Sequence, residues 1–329
     1  MLQSLLSEGR PLLADGATGT NLFITGLASG ESPELWNAIH PDRIQALHRA
    51  FVEAGADIVL TNSFGANRRR LALHGLDRRV GELNRLAAEI ARDVAHGAGR
   101  RVAVAGSVGP TGDLLAPLGP LSESEAVDVF IEQMAALRDG GADVAWIETM
   151  SAPDEIRAAA LAAAKVGMPF TITASFDTVG CTMTGLAPTA LCAVVGNLDP
   201  KPLAYGANCG VGASDLLVAI LAMAAASPNA TLIAKANAGM PELRGAEFHY
   251  SASPGLMERY ASLAVDSGAR IVGGCCGNTP AHVAAMRRGL DAHEPGARPD
   301  LEVIVAALGA LASRPATGTG RRTRRREQA

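Results

Sequence analysis

"EAGADIVLTN" (Glu53–Asn62) reads as the end of a helix, a turn and then a strand. The same phrase returns as "DGGADVAWIET" (Asp139–Thr149) and as "DSGARIVGGC" (Asp266–Cys275). Each time an apolar helical stretch stops on a glycine, which accepts the left-handed conformation that ends a helix. The β-branched run that follows does not alternate polar with apolar, so it reads as a strand buried on both faces.

Extending this grammar along the chain gives eight strands, at residues 12–15, 57–62, 102–107, 143–148, 170–175, 203–209, 231–237 and 270–275. Helical patterns lie between them. Pro41 opens one, with Ile44, Leu47, Phe51 and Val52 on a single stripe. Ser122 and Glu125 stand at capping-box spacing before another, whose stripe is Val127, Phe130, Ile131, Met134 and Leu137. A third opens at "NTPAH" with a cap and a proline. Parallel strands need crossover helices. Eight such units in a chain of 329 residues predict an α/β fold, a single-domain (β/α)8 barrel over residues 1–312. The alternative is an open doubly wound sheet, but no G-x-G-x-x-G follows the first strand. "DGATGT" (Asp15–Thr20) lacks the lysine of a phosphate loop.

Composition agrees. Apolar residues make up 48% of the chain and aromatics only 4%, which suits Ala-rich helices on Val/Ile strands. A net charge of −4 gives no electrostatic case for a nucleic acid or an anionic membrane. No apolar run spans a bilayer, and "MLQSLLSEGR" is a poor signal peptide. Five cysteines, an odd number at low density, fit a reducing, cytoplasmic compartment. Residues 313–329 change character: "RRTRRREQA" reads as a disordered basic tail, and a nucleic-acid role for it is the minor alternative.

Barrel chemistry is built at the C-terminal strand ends. Those ends are Asp15, Asn62, Ser107, Glu148, Ser175, Asn208 with Cys209, Asn237, and Cys275 with Cys276. So polar a ring makes sense around a small polar ligand. Cys209 ends the sixth strand, and Cys275–Cys276 end the eighth inside "VGGCCGN". An alternating strand cannot aim two neighbours at one ion, but a strand that breaks into a glycine-flanked turn can. Three thiolates around Zn²⁺ leave the fourth tetrahedral position open for a reaction. A strained vicinal disulfide, or cysteines serving as small apolar residues, are the other readings. Cys181 and Cys192 read as core or loop, and the seven histidines show no ligand pairing. Asp15 and Glu148 read as an acid/base pair or as counter-ions for a ligand ammonium, against an ordinary Asp-Gly turn for Asp15.

Taken in order, "LLADGATGTNL", "ADIVLTNSFGAN", "AGSVGPTG", "VAWIETMSAPDEI", "GANCGVG" and "IVGGCCGNTPAH" resemble the homocysteine S-methyltransferase family, from about residue 10 to 290. Within it, "DGATGTNLF", "ELWN" and "AWIETMSAP" are most similar to bacterial betaine–homocysteine methyltransferases. The resemblance implies a zinc-dependent (β/α)8 barrel with Cys209, Cys275 and Cys276 as metal ligands. It implies that Asp15, Gly16 and Glu148 bind homocysteine, whose zinc-activated sulfur takes a methyl group from an onium donor without a protein acid or base. Betaine, giving methionine and dimethylglycine, is the first expectation. S-methylmethionine and dimethylsulfoniopropionate are alternative donors, and a non-catalytic zinc-thiolate sensor of homocysteine or metal is the alternative of another class. A quaternary ammonium favours an aromatic wall. Trp36, in the long loop after the first strand, is the candidate, against a packing role. Two departures put the betaine pocket in doubt: Thr149 and Gly65 stand where vertebrate betaine enzymes carry tyrosines. Their C-terminal assembly extension is missing too, and a homo-oligomer is left open. No cobalamin or folate region is expected.

Overall fold

The computed structural model of the chain describes residues 1–244 and 247–312, with side chains described outside 241–249; the sequence-predicted tail at 313–329 lies outside the described residues. Eight parallel strands form the barrel: β1 Leu12–Leu13, β2 Ile58–Leu60, β3 Ala103–Val108, β4 Val144–Met150, β5 Phe170–Ala174, β6 Ala204–Cys209, β7 Leu232–Ala236 and β8 Ala269–Gly274. Each of β2 to β7 hydrogen-bonds its sequence neighbour in the sheet, and β7 pairs with β8. β1 pairs with β8, Leu12 opposite Ile271 and Leu13 opposite Val272. The seam between β1 and β2 is closed by a single bridge, Ala14 with Ile58. The Asp57 N–H donates to the Leu13 carbonyl at 2.7 Å and the Asp15 N–H to the Ile58 carbonyl at 3.0 Å. The chain is a (β/α)8 barrel.

The sequence pattern explains the elements. Gly55, Gly141 and Gly268, which follow the helix ends in the three repeated phrases, have φ of +102°, +98° and +110°. Such angles are costly for any residue with a Cβ. Helix Glu123–Asp139 carries the expected capping box between Ser122 and Glu125. Helix Pro41–Glu53 departs in one position: His48 is buried with Ile44, Phe51 and Val52, while Leu47 is only half-buried. A short hairpin, Pro241–Arg244 with Glu247–Tyr250, follows β7 and was not expected. It interrupts no barrel strand, and its register ends with Pro241 opposite Tyr250.

Two apolar layers result. The outer layer packs helices on strands. The inner layer fills the barrel with Leu12, Ile58, Ala103, Val144, Trp146, Ala204, Ile233 and Ile271, and Leu2 and Leu5 of the first helix pack into it. Small alanines around Trp146 leave room for its indole, the largest fully buried side chain. The inner layer gives way to polar residues at the mouth, so the floor of the site is apolar and its walls are not. Among the described residues, no helix is long and apolar enough to cross a membrane.

Candidate active site

The chain leaves β8 at Gly274 and turns at once. The Asn278 N–H donates to the Cys275 carbonyl at 3.1 Å, closing a tight turn with Gly277 at φ +79° in its third position. The turn is pinned to β7: the Cys275 N–H donates to the Ala236 carbonyl at 2.7 Å, and the Ala238 N–H to the Cys276 carbonyl at 2.9 Å. Glycine is required on both sides. A Cβ at Gly274 would lie 2.5 Å from the Asn278 side chain, and one at Gly277 would lie 2.2 Å from the Tyr250 ring. This geometry turns both adjacent sulfurs toward one point, as the glycine-flanked pair implied.

Cys209 arrives from β6 by a different device. It adopts φ +62°, rare for a residue with a Cβ. Thr149, at the end of β4, has the same φ, and the register slips between Ile147 and Met150 beside it. Asn208 braces both turns. Its Oδ1 accepts from the Thr149 N–H at 2.9 Å and from the Thr173 hydroxyl at 2.7 Å, and its Nδ2 donates to the Thr149 hydroxyl at 2.8 Å. One buried amide thus fixes the ends of β4, β5 and β6.

The three sulfurs of Cys209, Cys275 and Cys276 lie within 4.8 Å of one another, with Cys209 and Cys276 at 4.0 Å. Zn–S bonds of about 2.3 Å in a tetrahedron place sulfurs about 3.8 Å apart. The donor set therefore fits a thiophilic tetrahedral ion. Asn237 adds a second sign: its Nδ2 lies 3.5 Å from the Cys209 sulfur, while its buried Oδ1 has no partner. As free thiols the group is poorly ionised. The hydrogen bond from Cys275 favours the Cys209 thiolate, but Cys276 and burial outweigh it and push Cys209 up to about 12. A cation of twofold charge would reverse that balance.

The carboxylates sit beside the sulfurs, and both are buried. The Ser107 hydroxyl donates to Glu148 Oε1 at 2.5 Å; among the described residues, the other Glu148 oxygen has no protein partner. Burial pushes the Glu148 carboxyl up, Lys235 and Ser107 oppose this, and Asp15 adds to it. Asp15 accepts from the Leu60 N–H at 2.7 Å through one oxygen and from the Lys235 ammonium at 3.0 Å through the other. Gly16 packs so tightly that a Cβ there would stand 2.5 Å from the Asn278 carbonyl oxygen.

Two residues at the site were missed by sequence reasoning. Lys235 lies in β7, 2% exposed, with its ammonium 5.7 Å from the centre of the Trp146 ring. Burial works against its charge, but Asp15, Glu148 and Cys275 more than restore it and hold the ammonium above its ordinary range. A lysine inside an apolar run was the available signal. Tyr250, from the hairpin, packs its ring on Gly277 and interacts through its hydroxyl with Cys276. Burial and the nearby sulfurs push its phenol up to about 12. Nothing local in the sequence ties it to the cysteines.

Other expected positions serve the frame. Asn62 donates to the Pro33 carbonyl at 2.7 Å and to Asn37 at 3.0 Å, tying the loop after β1 to β2. Ser175 accepts from the Gly210 N–H at 3.2 Å. Trp36 is 2% exposed, inside a cluster with Leu22, Leu27, Ile44 and Ile90. The Arg43 guanidinium already lies over its ring at 4.9 Å, so no face is open to a second cation. At Gly65 the space a tyrosine would take is filled by Glu34, whose Oε1 would sit 2.8 Å from a Cβ there.

Known proteins carry the same frame. Residues 12–290 match the family model described as homocysteine S-methyltransferase. The homocysteine methyltransferase MmuM from Escherichia coli, in its metallated form, superposes with a TM-score of 0.72 at 26% identity, covering 87% of this chain and 99% of that one. Its oxidized form gives 0.73 at 25% identity, covering 87% and 98%. A curated relative, methionine synthase of Mycobacterium tuberculosis (strain ATCC 25618 / H37Rv), is 32% identical over 299 residues, 86% of this chain but 25% of that protein. The chain thus spans about a quarter of the length of that methionine synthase, and 24% of the one from Mycobacterium leprae (strain TN). A family-model match from the first strand to the helix after the eighth places this chain in the homocysteine S-methyltransferase family.

Proposed function

We propose that the protein transfers a methyl group from an onium donor, glycine betaine before others, to the sulfur of L-homocysteine, with zinc held by Cys209, Cys275 and Cys276. The observation that carries this reading is the convergence of three sulfurs beside a buried carboxylate pair at one barrel mouth. The family match supports the acceptor, and the metallated relative supports a metal.

When bound there, zinc supplies the charge that keeps an acceptor thiol, ordinarily of pKa about 8.5, as its thiolate near neutral pH. The chain's residues do the rest. Asp15 and Glu148 supply negative charge for the acceptor's ammonium, and the Gly16 backbone lines the same wall. Ser107 fixes the Glu148 carboxylate, and the Trp146 floor excludes water. In the transfer a sulfur lone pair forms the new S–C bond while the methyl–nitrogen bond of betaine breaks. The bonding pair stays on nitrogen, so dimethylglycine leaves neutral at that atom and needs no general acid. The acceptor's thiol proton has already gone to solvent.

The donor follows from a weaker argument. Trp36 is occupied by packing and by Arg43, so the wall for a quaternary ammonium is not assigned to it. S-methylmethionine and dimethylsulfoniopropionate react by the same displacement. The deciding experiment loads the protein with zinc and compares kcat/KM for betaine and both sulfonium donors with homocysteine. Methionine formation that is fastest with betaine and absent in Cys276→Ala is the expected result. Faster turnover with a sulfonium donor overturns the donor assignment. Tight homocysteine and zinc binding without methionine from any of the three favours the non-catalytic sensor.

A further inference from the structure

Lys235 stands out in a strand of small apolar side chains, Leu232–Ala236. A buried ammonium persists only when paired. Its place is prepared on every side. Asn208 of β6 and Gly273 of β8 flank it in the sheet. A Cβ at Gly273 would come 3.1 Å from Lys235 Cγ, so glycine leaves room for the lysine stem. Beneath it lies the Trp146 ring, and Asp15 accepts from it at 3.0 Å.

Both Asp15 oxygens are thereby engaged, one by Lys235 and one by the Leu60 N–H. Glu148 keeps one oxygen without a protein partner among the described residues. Within the group Asp15, Glu148 and Lys235, two carboxylates and one ammonium leave a single negative charge. That charge matches one substrate cation.

We propose that Lys235 is a positioning residue that sets the charge of the acceptor pocket: it claims Asp15 as its own counter-ion and leaves Glu148 as the one carboxylate that takes the ammonium of an α-amino thiol. This rests on the acceptor reading above and refines it, since Asp15 then acts through Lys235 and not on substrate. The pocket selects an acceptor that carries one ammonium group. A thiol without an ammonium leaves Glu148 buried and uncompensated. If Asp15 loses its charge, Lys235 turns to Glu148 and competes with the substrate's own ammonium.

The test measures binding to zinc-loaded protein by titration calorimetry, with homocysteine and with 4-mercaptobutyrate, the same thiol acid lacking the amino group. Asp15→Asn is expected to weaken homocysteine by about 30-fold, the scale of one charge-assisted hydrogen bond. Adding Lys235→Met to it removes the competitor and returns affinity to within about 3-fold of wild type, a rescue that a merely structural lysine would not give. Binding of 4-mercaptobutyrate should not weaken in either variant, because it offers no ammonium to compete for; in Asp15→Asn it tightens if anything, since Lys235 then compensates Glu148. A double variant that is folded, carries wild-type zinc and still binds homocysteine about 30-fold more weakly overturns the proposal, because Asp15 then holds substrate itself. Should Asp15→Asn alone fail to fold, the double variant against wild type decides by the same limits. A wild-type protein that binds both thiols equally has no ammonium recognition, and that result sinks the acceptor reading together with the proposal.

Discussion

His48 shows how one residue can set the acid stability of the fold. Its ring is fully buried in helix Pro41–Glu53, and neither ring nitrogen has a hydrogen-bond partner. Burial lowers its pKa from 6.5 to about 4. Above pH 6.5 the ring is neutral in both states and contributes no pH dependence. Between about 6.5 and 4 the unfolded chain takes up the proton and the folded chain does not, so stability falls as the pH drops. The full loss is about 3 kcal/mol, from about 1.4 kcal/mol per unit. His48→Leu should therefore be at least as stable at pH 7.5 and clearly more stable than wild type at pH 4.5. Urea melts at both pH values check this, and parallel losses in the two proteins would count against it. The sequence hid this residue: a helical stripe of Ile44, Leu47, Phe51 and Val52 seemed complete without a histidine. Lys235 was hidden in the same way, by a strand pattern so apolar that its single charge passed as an exception. Side-chain chemistry at the mouth was legible where it ended strands. It was not legible where partners came from another strand, because Asp15 and Lys235 are 220 positions apart.

At the scale of elements, the strands were read to within a residue or two at most ends, and the turns at Thr149 and Cys209 were not, unlike the glycine-flanked turn after β8. Alternation and apolar runs mark a strand, but nothing in "ETM" or "NCG" announces φ of +62° at Thr149 and Cys209. Those angles are held by tertiary contacts, chiefly through Asn208. Asn208→Ala removes the acceptor of the Thr149 N–H and of the Thr173 hydroxyl and leaves two strained turns unsupported. A loss of about 2–4 kcal/mol is expected, since a buried donor left unsatisfied costs about 1–3 kcal/mol and two are affected. Affinity for the zinc proposed above should fall as well, because the same amide lies 3.8 Å from the Cys275 sulfur. Denaturant melts and chelator competition measure the two effects. Wild-type values in both would remove Asn208 from its bracing role. The hairpin after β7 was missed for a related reason: its two strands have four residues each, too short for their alternation to stand out.

For the whole molecule, the weak point of the barrel is the seam between β1 and β2. β1 has two residues, and among the described residues a single backbone bridge, Ala14–Ile58, joins it to β2. Beneath the seam, Asp57 acts as a clasp. It accepts from the Leu13 N–H at 2.9 Å and from two nitrogens of Arg10, each at 2.9 Å, and Arg287 and Arg100 lie at 3.3 and 3.8 Å. Asp57→Ala leaves these guanidinium groups crowded together and the Leu13 N–H unpaired. Removing one partner of a buried ion pair costs about 3–5 kcal/mol; partial exposure of the arginines puts the expected loss near the lower end. A shift of the denaturation midpoint corresponding to less than about 1 kcal/mol would show that the seam holds without the clasp.

The order of the strands carries a further consequence. Cys209 is made with β6, but Cys275 and Cys276 come after β8, the strand on which β1 must pair across more than half the chain. Until β8 docks, an emerging chain has one sulfur at its mouth, and one sulfur cannot hold an ion against the competing thiols of a cell. If the protein takes up the metal proposed above, its capture marks a late stage of barrel assembly: only a chain whose β8 has docked on β7 presents all three sulfurs, and an incomplete one stays empty.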